Sequence, residues 1–278
     1  MTVPRRIGKR LLLTLAVSIA LGAAYAGSNW NEVRPKLSYY KQRAFELDPR
    51  MGKALDEIAG HIRSRQHATE SDRLDFVRDW VFRNSVHIED DEWKRYAAKT
   101  HIVVPMLWRA HSHGETRPHL SCGPRAYAMK AILEALGMRS RVVDVFRVTE
   151  AGLADSHTFL EVWNKETGAW EIQDPDLNIA FRRIDSAARA SVAQLVIGNI
   201  DEFEPVTQGR PGWRWGPEAP LRAYFNVAIY RLHYEGGRSK VLMNTKRIDP
   251  RTDIDGIVST LKDRFYDPVI LDTERVRL

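Results

Sequence analysis

The chain has one cysteine in 278 residues, Cys122. A single thiol excludes an internal disulfide framework and any zinc or iron–sulfur centre built from cysteines. Internal repeats and low-complexity tracts are absent as well. Long apolar runs are scarce: Leu11–Ala24 is apolar except for Thr14 and Ser18, which falls short of the ~20 residues that span a bilayer comfortably. Acidic residues are missing from positions 1–26, which hold Arg5, Arg6, Lys9 and Arg10. That local absence accounts for most of the net charge of +6; the remaining 38 basic and 36 acidic residues leave only +2. So balanced a surface excludes an electrostatically driven nucleic-acid protein. What remains is ordinary for a globular chain, with 44% apolar and 28% charged residues. The length allows one large domain or two small ones, with a core that needs no disulfide staples.

The first segment reads as an address. A basic stretch through Arg10, the apolar run and then Ala24-Tyr25-Ala26 ahead of Gly27 follow the order of a secretory signal. Cleavage after Ala26 is expected, with a secreted or periplasmic product; an uncleaved membrane anchor is the alternative. Arg5-Arg6 lacks the apolar pair that twin-arginine signals carry after it, and no cysteine follows for lipid attachment.

Along the mature chain, 27–70 reads as an N-terminal helical segment broken at Pro35 and Pro49. Thr69 or Ser71 can cap a following helix in which Leu74, Val77 and Val81 recur at helical spacing, with Trp80 beside them. Residues 84–121 are polar and histidine-rich, and read as loop with short helices. Pro124 opens a helix with an apolar face through Ala126, Met129, Ile132, Leu133 and Leu136, and Gly137 stands where a helix ends in a left-handed residue. Arg139–Val148 reads as a strand. Thr158–Trp163 and Ala169–Gln173 alternate around a turn at Asn164–Gly168, which is a hairpin pattern. The core is thus expected over 71–185 and a C-terminal extension over 186–278, with a strand in 222–234 and an amphipathic helix at Ile254–Phe265.

Cys122 stands at a helix start, in Ser121-Cys122-Gly123-Pro124. Unpaired backbone N–H groups and the helix dipole there favour thiolate, the nucleophilic form. A base partner is then expected. His157 stands at the start of one hairpin strand and Asp174 just past the end of its partner, so strand pairing brings them to one end of the hairpin. An aspartate there can fix one imidazole nitrogen and leave the other for sulfur.

These residues resemble a family. Ser121-Cys122-Gly123-Pro124-Arg125-Ala126, followed by Leu136-Gly137-Met138-Arg139-Ser140-Arg141-Val142-Val143, looks like the nucleophile helix and exit strand of the transglutaminase-like superfamily. His157-Thr158-Phe159-Leu160-Glu161-Val162-Trp163, Gly168-Ala169-Trp170 and Asp174-Pro175 are similar to its histidine and aspartate strands. The resemblance covers residues 72–178 and fits compact bacterial members. It departs at Ser121, where glycine is frequent, and at Phe159, where tryptophan is common. It implies an α+β, papain/transglutaminase-like fold, with the nucleophile helix packed on an antiparallel sheet, N-terminal helices and a C-terminal extension. It further implies catalytic roles for Cys122, His157 and Asp174, and acyl transfer or hydrolysis through a Cys-linked thioester; independently, no cofactor or metal is expected. The Cys122 N–H would be one oxyanion donor and an indole N–H or a side-chain amide the second, the candidate indoles being Trp93 and Trp108, with Trp80 more suited to the core.

His101, His111, His113 and His119 precede the nucleophile at spacings better suited to a solvent-facing or substrate-lining loop than to a metal. Trp213-Arg214-Trp215 reads as an anchored loop. The expected substrate is a peptide or envelope-polymer amide, with no nucleic acid and with membrane association only through residues 1–26. The rival reading is a non-catalytic peptide- or glycan-binding module that keeps the fold; a third is a membrane-anchored partner in an envelope assembly.

Overall fold

A computed structural model describes residues 48–88, 95–96, 99–149, 152–207, 225–234, 238–265 and 268–272, with Gly27 and Val33 besides. Residues 1–26, Trp93, Trp213 and Trp215 lie outside them, and with them the expected signal, one expected oxyanion donor and the tryptophan loop. Among the described residues no helix is long and apolar enough to cross a membrane.

The architecture is α+β. From Asp48 on, the described residues run through the helices α1 (Pro49–Arg63), α2 (Glu70–Arg83), α3 (Thr100–His113) and α4 (Cys122–Ala135). Two short parallel strands lie among them, β1 (Val86–His87) and β2 (His119–Leu120), with His87 paired to Leu120. Strands β3 (Ser140–Thr149), β4 (Gly152–Asn164) and β5 (Ala169–Gln173) follow, then β6 (Ile179–Arg183), α5 (Val192–Ile197) and β7 (Phe203–Thr207). The last described elements are β8 (Ile229–His233), β9 (Ser239–Met243), α6 (Ile254–Phe265) and β10 (Val269–Asp272). Six strands make the main sheet in the order β10-β9-β8-β3-β4-β5, while β6 and β7 form a separate pair.

Local chemistry sets the helix boundaries. At α2, Thr69 Oγ1 accepts from the Asp72 N–H, and the Asp72 carboxylate accepts from the Thr69 N–H, a reciprocal capping box. Asp48 caps α1 ahead of Pro49, whose missing N–H costs nothing in a first turn. After α4, Gly137 takes φ 74°, which ends the helix and turns the chain into β3.

Alternation along β3 and β4 splits the core between two faces. Val142, Leu160 and Val162 pack under α1–α4 with Leu74, Val77, Met129 and Leu133. Val143, Val145, Phe159 and Ile172 face the other way, toward α5 and the β6–β7 pair. The helix α6 covers a third cluster on β8 and β9 through Ile257, Leu261 and Phe265.

The sheet differs from the expected purely antiparallel one. Strand β10 runs parallel to β9, because α6 carries the chain back across the sheet before β10 begins. Two further expectations change. Residues 84–121 contain a full helix, α3, whose apolar positions Val103, Val104 and Leu107 are buried despite the polar composition around them. His157 does not begin a strand. It lies inside β4, which starts at Gly152 because its first half pairs with β3 alone; Val145 is the partner of His157, and β5 joins only from Leu160 onward.

Buried polar contacts fix the β4–β5 hairpin to α2. At the turn end, Glu70 Oε2 accepts from the N–H groups of Lys165 and Glu166, and Ser71 donates to Glu171. At the other end, the fully buried Arg78 donates to Asp75, Gln173 and Asn178. Both ends of β5 are therefore held, and the chain leaving it at Asp174 has a defined start.

Candidate active site

Cys122 is a free, half-buried thiol in the first turn of α4. Ser121, at the cap position, makes no side-chain capping bond to the helix. The helix stands on β3 and β4, and β4 carries the next part of the site.

His157 is almost wholly buried, with Phe159 and the edge of Phe225 beside its ring, the latter at a centroid distance of 5.9 Å. Its Nε2 lies 2.6 Å from Oδ2 of Asp174. A carboxylate only accepts, so Nε2 carries hydrogen. The histidine also shares a side-chain hydrogen bond with Cys122, which leaves Nδ1 as the nitrogen toward sulfur. Burial by itself would push the imidazole pKa down. The Asp174 charge and hydrogen bond, joined by the contact with Cys122, outweigh it and hold the pKa well above the ordinary 6.5.

Asp174 is fully buried and is aimed by its own loop. It exchanges both backbone hydrogen bonds with Ile179, closing a four-residue turn. Within the turn its Oδ1 accepts from the N–H groups of Asp176 and Leu177 at 2.8 and 3.0 Å, leaving Oδ2 for His157. Asn178 supplies the left-handed residue that the turn requires, at φ 54°.

Sequence reasoning missed the second layer. Arg125, also in the first turn of α4, donates from one terminal nitrogen to both the Asp176 carbonyl and its Oδ1, each at 3.0 Å. His87 meets the same Oδ1 at 2.8 Å through Nδ1. Burial would raise the Asp176 pKa, but the His87 hydrogen bond and the charges of Arg125 and His157 hold it below the usual carboxylate range. Arg125 was visible only as part of a motif, and Asp176 was not singled out at all. Nothing in their spacing of 51 residues announces the pair.

The structure thus brings Cys122, His157 and Asp174 together. It places Trp108 elsewhere in the helical layer, beside His111 and His61 at centroid distances of 5.6 and 6.4 Å. Trp80 is buried in the same group, 5.4 Å from His111, and its indole Nε1 has no hydrogen-bond partner among the described residues. His101, His111 and His113 all belong to α3, and His119 lies exposed in β2.

No family model matches this chain, and no curated protein does. Among solved structures it is similar to one from Cytophaga hutchinsonii described as a candidate cysteine protease, with 17% identity and a TM-score of 0.32. The match covers 49% of this chain and 42% of that one, so this chain spans less than half of that protein.

Proposed function

We propose that the protein is a papain-like thiol enzyme of the transglutaminase-like kind that acts on amide bonds. The observation that carries this reading is one hydrogen-bonded series: a half-buried thiol at a helix start, a histidine bonded to it, and a buried aspartate on the far ring nitrogen. In this mechanism Cys122 sulfur attacks the carbonyl carbon. The tetrahedral oxyanion is met by the Cys122 N–H at the start of α4. His157, holding a proton on each nitrogen, gives one to the departing amine, and a thioester remains. His157 then accepts a proton from the incoming water or amine, and the thioester carbon passes to that oxygen or nitrogen. Water gives hydrolysis and an amine gives transamidation. Trp108 stands beside His111 and His61 instead, so the second oxyanion donor proposed is Trp93. Export through residues 1–26, with peptides or envelope polymers as substrates, belongs to the same proposal.

The test is an amide-based, thiol-reactive probe offered to the purified full chain. Labelling at Cys122 that disappears in Cys122→Ala and falls sharply in His157→Gln supports the enzyme reading. A folded wild-type protein whose Cys122 reacts no faster than free cysteine at pH 6 overturns it and leaves the binding-module alternative.

A further inference from the structure

Arg125 is among the most deeply buried side chains of the molecule, at 1% exposure. Taking a guanidinium out of water carries a large desolvation cost, and a buried ion pair rarely repays it in stability alone. Its placement has a geometric consequence. It follows Cys122 by three residues, nearly one helical turn, so both side chains issue from the same end of α4. Its partner Asp176 lies two residues after Asp174 and donates its own N–H to Asp174 Oδ1. A single nitrogen of Arg125 grips both the carbonyl and the carboxylate of Asp176. From the third side, His87 reaches the same carboxylate from β1, and β1 pairs with the strand that leads into Cys122 through Leu120. Three chain segments therefore meet at one carboxylate: β1, which pairs with the strand before the nucleophile, the nucleophile helix and the turn that aims Asp174.

We propose that Arg125 and Asp176 are positioning residues, a clamp that holds the nucleophile helix and the Asp174 turn in register so that Cys122 and the His157–Asp174 pair form one unit. This rests on the thiol-enzyme reading. Asp174 is held by its turn and His157 by its strand, and neither of those fixes α4. Beside the Cys122–His157 contact itself, the clamp is a polar link across that gap. The guanidinium also lies 5.6 Å from the centre of the Phe82 ring, at the end of α2, which limits its movement.

The test is the rate of Cys122 alkylation by iodoacetamide at pH 6 in the full chain, for wild type, Arg125→Lys and Asp176→Asn, with near-ultraviolet circular dichroism and melting to confirm folding. Lys keeps the charge but is shorter and has no planar group to lie against Phe82. Asn keeps the size but loses the charge. A clamp predicts slower alkylation in both, by about tenfold to a hundredfold, the order expected for a reacting pair displaced by up to 1 Å. A role confined to the local field predicts otherwise: Arg125→Lys unchanged and Asp176→Asn faster, because a negative charge near the sulfur is gone. That second pattern in folded variants overturns the proposal. Should Arg125→Lys fail to fold, Asp176→Asn decides alone, slower supporting the clamp and equal or faster overturning it. A wild-type thiol no more reactive than free cysteine would instead sink the enzyme reading, which keeps the two failures apart.

Discussion

His157 and Asp174, seventeen residues apart, meet at 2.6 Å because β5 stops short of the strand it pairs with. The ladder ends at Gln173 opposite Leu160, so the next residue leaves the sheet beside the stretch of β4 that holds His157. The turn then closes by bonding Asp174 to Ile179 and directs one carboxylate oxygen to the ring.

Replacing Asp174 with Asn should leave the thiol in place but remove the group that fixes the imidazole. An amide offers oxygen or nitrogen to Nε2 and no charge. The rate of probe acylation should fall by about 10²–10⁴-fold, the range for losing the residue that sets a catalytic tautomer. Single-turnover labelling measures this directly. A drop of less than threefold in a folded variant would remove Asp174 from the mechanism.

The His157 pKa gives a stability prediction with a definite sign. It is raised in the folded state, so the protonated form is bound more tightly folded than unfolded. Its contribution is complete below the ordinary value of 6.5 and is lost as the pH climbs through the higher folded value. The melting-temperature gap between wild type and His157→Gln should therefore be widest at about pH 6 and narrow on the alkaline side. A gap that widens with rising pH would contradict the assignment.

The helical layer should respond the opposite way. His61 and His111 lie with ring centroids 4.5 Å apart. Burial lowers both pKa values, His111 lowers that of His61 further, and Arg65 lowers both. Stability that depends on these rings being neutral is present above the ordinary 6.5 and lost as the pH falls. Urea midpoints measured from pH 8 to 4.5 should decline in wild type, and the decline should flatten in His111→Gln. Parallel curves would show that the pair does not govern acid sensitivity.

Gly137→Ala isolates a backbone effect. A Cβ at this position would meet nothing within 4 Å, so crowding is not at issue, but φ is 74°. The left-handed conformation should cost about 1–2 kcal/mol with alanine and less with asparagine. Denaturant unfolding of the two variants checks the order. Because Gly137 joins α4 to β3, a much larger loss for alanine would mean that the turn itself had changed.

Much of this molecule is written locally. The capping box of α2 needs Thr69 and Asp72 alone, Gly137 ends α4 by its own conformational freedom, and the alternation through Thr158–Trp163 and Ala169–Gln173 marks two strands that do pair as a hairpin. The cysteine at a helix start and the hairpin carrying His157 and Asp174 were legible for the same reason: their signals are short-range periodicities of 3.6 and 2 residues. Other features depended on partners far along the chain. The helix α3 forms in a polar stretch because Val103, Val104 and Leu107 find a core supplied by α1 and α4. The parallel edge strand β10 depends on the crossover of α6, and the true start of β4 depends on β3. Arg125 and Asp176 show the limit most clearly. In the sequence one is a basic residue on a helix and the other an acid in a turn. Only packing removes both from water, and a buried charge must then take the partner that the fold places beside it.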